Sequence, residues 1–155
     1  REIIAKLPEF DKRDRFEMNI VNCAMLAAFI LCMPQRPDIK TLTDYYAAAM
    51  MTPTMKAFCR ASGKKKFTPK DIEGMKAYSW NMDFFEYEDG SGYEARFTTC
   101  GICTLMQVLG LYDLTPALCH LDYTMSDAGG ASDFVREYTL ASGGPYCDCG
   151  YHKKQ

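Results

Sequence analysis

Cysteine is the residue type with the most possible chemical roles in this chain. Five of the eight cysteines lie in its second half, at positions 100, 103, 119, 147 and 149. Cys100 and Cys103 form a C-x2-C pair where a predicted strand meets a predicted helix. A thiol at the first turn of a helix ionises more easily, because the positive end of the helix dipole stabilises the thiolate. The same spacing supplies half of a zinc site. Cys100 is therefore a candidate reactive thiol, with metal binding and core packing as the alternatives.

A zinc site would need further cysteines from elsewhere in the chain. Cys147 and Cys149 are spaced as C-x-C on a predicted strand, which places their side chains on one face about 7 Å apart. Two C-x2-C pairs would be typical of structural zinc, and this chain has one. We expect no cofactor. The alternative is a zinc ion bound by Cys100, Cys103, Cys119 and Cys147.

Asp122 is the carboxylate best placed to act with a thiol. If a helix begins near residue 115, Cys119 lies three residues before Asp122 and four before Tyr123, so the three share a face. A carboxylate beside a thiol can act as a general base, orient a nucleophile or bind a substrate amine. The alternative is a surface aspartate that happens to lie near a core cysteine. His120 lies on another face, and we expect it to be exposed.

Arg136 is unusual because its predicted strand, residues 134–141, places it on the more apolar face with Phe134. An arginine on such a face needs an anion opposite it, and Asp122 or a ligand carboxylate would serve. We therefore expect Arg136 to line a pocket. The last predicted strand, 146–152, directs three side chains to the core, those of Cys147, Cys149 and Tyr151.

The first half of the chain, residues 1–78, is predicted to be helical. Helices are expected over about 14–33, over 41–61 with a break or kink at Thr52-Pro53, and from residue 69 to Tyr78. The apolar face of the first is predicted to consist of Met18, Val21, Met25, Ala28 and Phe29, widened by Leu26, Ile30 and Leu31. Small buried thiols are predicted at Cys23, Cys32 and Cys59. The Lys64–Lys66 cluster is interpreted as a solvated loop.

The second half, residues 79–155, contains the strand signals. Two runs flank Asp89-Gly90, a good hairpin signal, and the second run alternates with Tyr93, Ala95 and Phe97 on one face. Helices are expected over about 100–109 and from 115 to just before Gly129, followed by the two C-terminal strands. The sequence predicts one α+β domain over 1–155, with a helical N-terminal half packed on an antiparallel sheet of two hairpins with two intervening helices.

Composition excludes some partners. The net charge of −2 and the pI near 5.7 provide no basic field for nucleic acid. The longest apolar run is about ten residues, too short for a bilayer. Eight cysteines without a visible signal segment predict reduced thiols and a cytoplasmic location. We expect a small-molecule substrate, no nucleic acid or membrane partner, and allow for a homo-oligomer.

The motifs of residues 97–151 resemble those of the L-2-amino-thiazoline-4-carboxylic acid hydrolase family. That pattern has a strand ending in Cys, a helix reaching a Gly, C-x-x-D, R…T-L-A-x-G and a closing C-D-F-x-Y. The matching residues here are Cys100 with Gly110, Cys119-His120-Leu121-Asp122, Arg136 with Thr139-Leu140-Ala141-Ser142-Gly143, and Cys147-Asp148-Cys149-Gly150-Tyr151. Gly101 replaces a frequent proline and Cys149 replaces an aromatic residue, which indicates a divergent member.

The resemblance implies hydrolytic opening of a cyclic amidine, with L-2-amino-thiazoline-4-carboxylate plus water giving N-carbamoyl-L-cysteine. Attack would come from a thiolate or an activated water. The implied roles are nucleophile or pocket residue for Cys100 or Cys119, base or amidinium partner for Asp122, and carboxylate ligand for Arg136. Further substrate contacts are assigned to Tyr123, Thr139 and Cys147.

Two other classes remain. The element order is also similar to small-molecule sensing domains of the 4-vinyl-reductase type, in which the same pocket would bind a ligand or a metal without turnover. A purely structural or oligomer-forming domain would have no pocket between Asp122 and Arg136.

Overall fold

The computed structural model describes residues 1–6, 16–62 and 80–154. The helix predicted from residue 69 to Tyr78 and the Lys64–Lys66 cluster lie outside the described residues.

Three helices form the described part of the N-terminal half: α1 is Glu17–Cys32, α2 is Ile39–Met50 and α3 is Pro53–Ser62. The side chain of Asp38 caps α2 by accepting a 2.8 Å hydrogen bond from the backbone N–H of Thr41. The hydroxyl of Thr52 accepts one from Met55 N–H at 3.2 Å and so begins α3. The break predicted at Thr52-Pro53 is thus confirmed.

The predicted apolar face of α1 is wrong except for Leu26 and Ile30, which are buried. Met18, Met25 and Phe29 are 62%, 67% and 58% exposed. The buried residues are Ile20, Cys23, Ala24, Leu26, Ala27 and Ile30. Nearly all sides of this helix are apolar, so periodicity alone could not choose between them. The buried side has the small residues, which allow neighbouring elements to approach closely.

Two of the three N-terminal cysteines are buried as predicted. Cys23 and Cys59 lie in the interior, whereas Cys32 is exposed. Cys32 is the last residue of α1, beyond the part of the helix that the core covers.

The sheet has four antiparallel strands in the order β1-β2-β4-β3. The strands are β1 Trp80–Glu86, β2 Gly92–Cys100, β3 Ser132–Val135 and β4 Cys147–Lys153. The predicted hairpin turn is confirmed: Gly90 has a left-handed φ of 68°, and Asp89 Oδ1 accepts a 2.9 Å bond from Ser91 N–H. Ala95 is buried and Phe97 packs inward, as the alternation of β2 predicted.

Three helices connect β2 to β3: α4 is Gly101–Val108, α5 is Thr115–Cys119 and α6 is Leu121–Gly129. The single helix predicted from residue 115 is therefore two, joined at His120. The break coincides with Arg136, whose Nη2 donates a 2.9 Å hydrogen bond to the carbonyl oxygen of Cys119.

The strand predicted over 134–141 is mostly wrong. β3 ends at Val135, and a short 3-10 helix forms at Leu140–Ser142. The carboxylate of Asp148 accepts bonds from Glu137 N–H at 3.0 Å and Tyr138 N–H at 2.6 Å. A side chain thus takes the place of a neighbouring strand, and Arg136 owes its orientation to this turn rather than to strand alternation.

The core has two parts. One joins α1 and α2 to α4, α5 and Trp80, and the other lies on the sheet around Met82, Ala95 and Phe134. Phe97 packs against both and links them. The helical half therefore packs on the antiparallel sheet, and the predicted α+β fold is confirmed.

Candidate active site

Arg136 and Asp122 form an ion pair at the centre of the site. Arg136 Nη1 donates to Asp122 Oδ2 at 2.7 Å, and its Nη2 donates to the Cys119 carbonyl at 2.9 Å. The side chain of Arg136 is 6% exposed, whereas that of Asp122 is 44% exposed. The arginine is thus fixed in the interior, and the carboxylate is open on one side.

Two aromatic rings enclose the guanidinium. Its carbon lies 5.3 Å from the centroid of Tyr123 and 5.2 Å from that of Phe134. The Tyr123 hydroxyl also donates to the backbone carbonyl of Arg136 at 3.3 Å. Arg136 therefore contacts Asp122 and Tyr123 through their side chains and Cys119 through its backbone carbonyl.

Asp122 lines a cavity of about 230 Å³ between α3, α6 and the sheet. Tyr93 and Tyr151 form part of its wall, with ring centroids 5.0 Å apart. The remaining lining residues are Phe58, Cys59, Ser62, Met125, Ser126, Gly129, Ala131 and Ser132. Asp122 Oδ1 accepts no hydrogen bond from the described residues, so one carboxylate oxygen remains available to a ligand.

Burial raises the pKa of Asp122 above its ordinary value, although the charge and hydrogen bond of Arg136 act against this. The surrounding protein removes water from a carboxylate that has one cation beside it. Burial also raises the pKa of Tyr46 to about 12, with the negative charges of Cys23 and Asp122 acting in the same direction. A raised pKa makes the carboxylate a stronger proton acceptor than an ordinary aspartate.

Cys100 is the thiol best placed to ionise. It is the N-cap residue of α4 and is half-buried. The neighbouring thiol of Cys103 and the backbone N–H groups at the start of α4 lower the pKa of Cys100. Burial and the charge of Asp122 oppose this shift. The strand-to-helix junction predicted at Cys100 is present, and the reactivity of its thiol stays a prediction.

The other candidate thiols keep their protons. Burial raises the pKa of Cys119 to about 12, helped by the charges of Cys100 and Asp122. Burial also raises the pKa of Cys147, against a 3.3 Å hydrogen bond from Leu140 N–H to its sulfur. Cys147 and Cys149 face the sheet core as predicted.

Only part of the predicted set reaches the cavity. Asp122 lines it, whereas Cys100, Cys119 and Arg136 do not. Arg136 is engaged by Asp122 and the Cys119 carbonyl, and the Thr139 hydroxyl donates to Ser142 Oγ at 2.9 Å. His120 is exposed, as predicted.

The sequence does not predict that Tyr93 and Tyr151 together form an aromatic wall of the cavity. Tyr151 was predicted to face the core and Tyr93 to alternate inward, but neither was assigned to a pocket. Their positions across the β2–β4 pairing bring them together. Strand alternation predicts on which face of the sheet a side chain lies. The residue beside it on the neighbouring strand depends on the order of the strands in the sheet.

Metal binding was an alternative for the cysteines. Across residues 1–6, 16–62 and 80–154, no three His, Cys, Asp or Glu side chains are grouped so as to hold a metal ion.

In the same described ranges no helix has the length and apolar character needed to cross a membrane.

The fold and the site describe an α+β protein with a cavity of small-molecule size beside a buried ion pair. The family model for L-2-amino-thiazoline-4-carboxylic acid hydrolase matches residues 18–151, and the chain belongs to that family. The match is wider than the predicted 97–151, since it includes most of the helical half. No curated protein and no solved structure shows significant similarity to the chain.

Proposed function

We propose that this protein is a hydrolase that opens a small cyclic amidine such as L-2-amino-thiazoline-4-carboxylate. The observation that carries the proposal is the carboxylate of Asp122, held through one oxygen by a buried arginine while the other oxygen is available at the cavity. Membership of the hydrolase family supports the reaction class.

Asp122 is proposed as the general base for an attacking water. It is the one member of the predicted catalytic set that lines the cavity, and its pKa is raised by burial. The water adds to the ring carbon bonded to nitrogen and sulfur, and Asp122 takes its proton. The carbon–sulfur bond then breaks, the sulfur leaves as a thiolate that accepts a proton, and the product is N-carbamoyl-L-cysteine.

Arg136 is proposed as a positioning residue. Its guanidinium is occupied by Asp122 and the Cys119 carbonyl, and its side chain is almost fully buried. It orients the carboxylate and limits the rise in the pKa of Asp122. This role replaces the substrate-carboxylate contact expected from the resemblance.

The aromatic wall supplies the substrate contacts in this proposal. Stacked Tyr93 and Tyr151 offer a flat apolar surface for a small ring, and the hydroxyl of Ser126 lies on the same cavity. A cationic amidine ring is attracted both to tyrosine faces and to the carboxylate of Asp122.

The test is to incubate the purified protein with L-2-amino-thiazoline-4-carboxylate and measure N-carbamoyl-L-cysteine by mass spectrometry. Asp122→Asn should lower kcat by about 100-fold or more, the usual contribution of a general base. Asp127→Asn is the matched control, because Asp127 is an exposed aspartate on the same helix. Wild-type activity should increase as pH rises through the raised pKa of Asp122, because a base acts only when deprotonated.

The same assay separates the alternatives. Cys100→Ala and Cys119→Ala, made separately, distinguish the water route from thiolate attack, since the water route requires neither sulfur. Binding of the ring compound without product would instead favour the sensing-domain interpretation, and neither binding nor product would contradict both.

A further inference from the structure

The side of α1 that faces away from the core has an apolar stripe of its own. Met18, Met25 and Phe29, which the sequence predicted to face inward, are each more than half exposed. Asn22 and Cys32 complete the row, with Asn22 half-buried and Cys32 exposed. We call these five residues the outer stripe.

The spacing of the outer stripe is that of a coiled-coil seam. Its residues follow one another at steps of four, three, four and three, so they lie on one side of the helix. Two helices with this repeat bury their stripes against each other. The opposite side of α1 already packs into the core, through residues such as Ile20 and Ala27. Because a helix that is apolar on all sides is typically covered on all sides, we expect a second neighbour on the outer stripe.

Asn22 indicates what kind of neighbour fits. It lies between Met18 and Met25 in the outer stripe, and its amide makes no hydrogen bond to any residue that the structure describes. An amide covered by apolar side chains without a hydrogen-bond partner is costly. In two-stranded coiled coils, a single asparagine of this kind pairs with the same asparagine of the other helix and fixes the register. Asn22 thus matches a partner with an identical stripe, which is a second copy of this chain.

The outer stripe lies in a segment without charge. Residues 18–35 contain no Asp, Glu, Lys or Arg. Two copies of a charged face would repel each other, whereas this face meets its copy with no like charges opposed. A helix that lies on a lipid surface has Lys or Arg beside its apolar face, and this segment has neither. The charge pattern therefore favours a second protein copy over a membrane.

The exposed area is sufficient for a dimer. The ring of Phe29 stacks on that of Tyr45 in α2, with centroids 6.3 Å apart, so the apolar surface extends onto α2. Tyr45 is also more than half exposed. Large aromatic side chains bury about 150–250 Å² each, so the partly exposed outer stripe and Tyr45 together present on the order of 500 Å². Two copies would then bury roughly 1,000 Å², the area at which a specific interface begins.

We propose that the outer stripe is a homodimer interface, in which α1 packs in parallel and in register against α1 of a second copy. Each Asn22 then faces its equivalent, and the two amides hydrogen bond to each other at the two-fold axis. An antiparallel pair centred on the outer stripe would place Asn22 opposite Phe29 and leave the amide without a partner. The parallel arrangement also brings the two Cys32 thiols together where the helices end.

The first test measures the mass of the full wild-type chain by sedimentation equilibrium over a wide range of concentrations. We expect a dimer. Asn22→Asp should raise its dissociation constant by about 100-fold or more, because two like charges then oppose each other at the axis. Asn19→Asp is the matched control, since Asn19 is an exposed asparagine on α1 outside the outer stripe, and it should dimerise like the wild type. Circular dichroism checks that both variants keep their helices.

The second test uses Cys32 to determine the orientation of the two helices. A short bismaleimide should join two wild-type copies through Cys32, as mapped by mass spectrometry of the linked peptides. Cys32→Ser should remain a dimer without this link. A dimer that is not linked through Cys32 overturns the parallel arrangement.

A wild type that is monomeric at every concentration overturns the proposal, as does a dimer that Asn22→Asp leaves equally tight. In a monomer, a Cys32 that resists a simple maleimide would mean that another segment of the chain covers the outer stripe. A monomer that sediments with phosphatidylglycerol vesicles would mean that a lipid surface covers it. None of these measurements involves turnover, so they succeed or fail independently of the proposed hydrolase activity.

Discussion

Arg136 and Arg96 have the same kinds of partner in opposite surroundings. Arg96 pairs with Glu94 at 2.7 Å and lies over the rings of Phe85 and Tyr146 at 4.7 and 4.4 Å. Arg136 pairs with Asp122, also at 2.7 Å, and lies near two rings at slightly longer distances. The side chains of Arg96 and Glu94 are 33% and 19% exposed, whereas those of Arg136 and Asp122 are 6% and 44% exposed, so the arginines differ in burial and the carboxylates differ in the opposite sense.

The difference shows that the contacts of an ion pair do not by themselves determine how much the pair contributes to stability. Water and salt screen Arg96, so its pair with Glu94 contributes little and can open without penalty. Arg136 has lost that solvation and depends on Asp122 and a backbone carbonyl to replace it. The Arg136–Asp122 pair therefore holds α5, α6 and the chain after β3 in one arrangement, whereas the Arg96–Glu94 pair joins two residues of β2.

The largest effect is expected from Arg136→Met, which removes the buried cation. Asp122 loses its counter-charge and the Cys119 carbonyl loses a donor. We expect a loss of about 3 kcal/mol in the free energy of unfolding, the low end for a broken buried pair because Asp122 is partly open to the cavity. Urea denaturation measures this. Arg136→Lys should lose less stability, since lysine keeps the positive charge but cannot make both guanidinium hydrogen bonds. Equal stability of Arg136→Met and Arg96→Met would contradict the comparison.

A second prediction concerns Asp148, which connects the two regions. It pairs with Arg96 in the β2–β4 register, and its carboxylate holds the backbone of Glu137 and Tyr138, directly after Arg136. Asp148→Ala should cost about 1.5 kcal/mol, the low end for hydrogen bonds to a charged acceptor, because these bonds are exposed. It should also lower the proposed hydrolase activity, because Arg136 is then less firmly placed.

Asp148→Asn is the matched control for that change. Its amide oxygen still accepts hydrogen bonds, so denaturation and activity should lie closer to the wild type. If Asp148→Ala leaves both unchanged, the turn after β3 does not depend on this carboxylate.

Local patterns predicted some of the site well. The nearness of Asp122 and Tyr123 to Arg136 needs only the geometry of one helical turn, since both lie at the start of α6. The placement of Cys100 needed only the strand-to-helix junction. Features that depend on only a few neighbouring residues can be predicted from the sequence, because the local backbone geometry fixes them.

Non-local packing accounts for the rest. On α1 both sides are apolar, and the choice of the small-residue side depends on neighbours such as Gly101, far away in sequence. The strand predicted beyond Val135 failed because a distant carboxylate, that of Asp148, supplies the hydrogen bonds. The Tyr93–Tyr151 wall depends on β4 lying beside β2. None of these follows from periodicity.

The smallest effect is expected from Arg96→Met. Losing a screened pair and two ring contacts should shift the urea midpoint far less than Arg136→Met does. The difference from the wild type should shrink further in about 1 M salt, where charges are screened within a few ångströms. Urea denaturation at low and high salt measures it, with Arg136→Met run in parallel. A loss at Arg96 as large and as salt-insensitive as that at Arg136 would mean that burial does not separate the two arginines. The fixed orientation of Asp122 at the cavity would then need another cause.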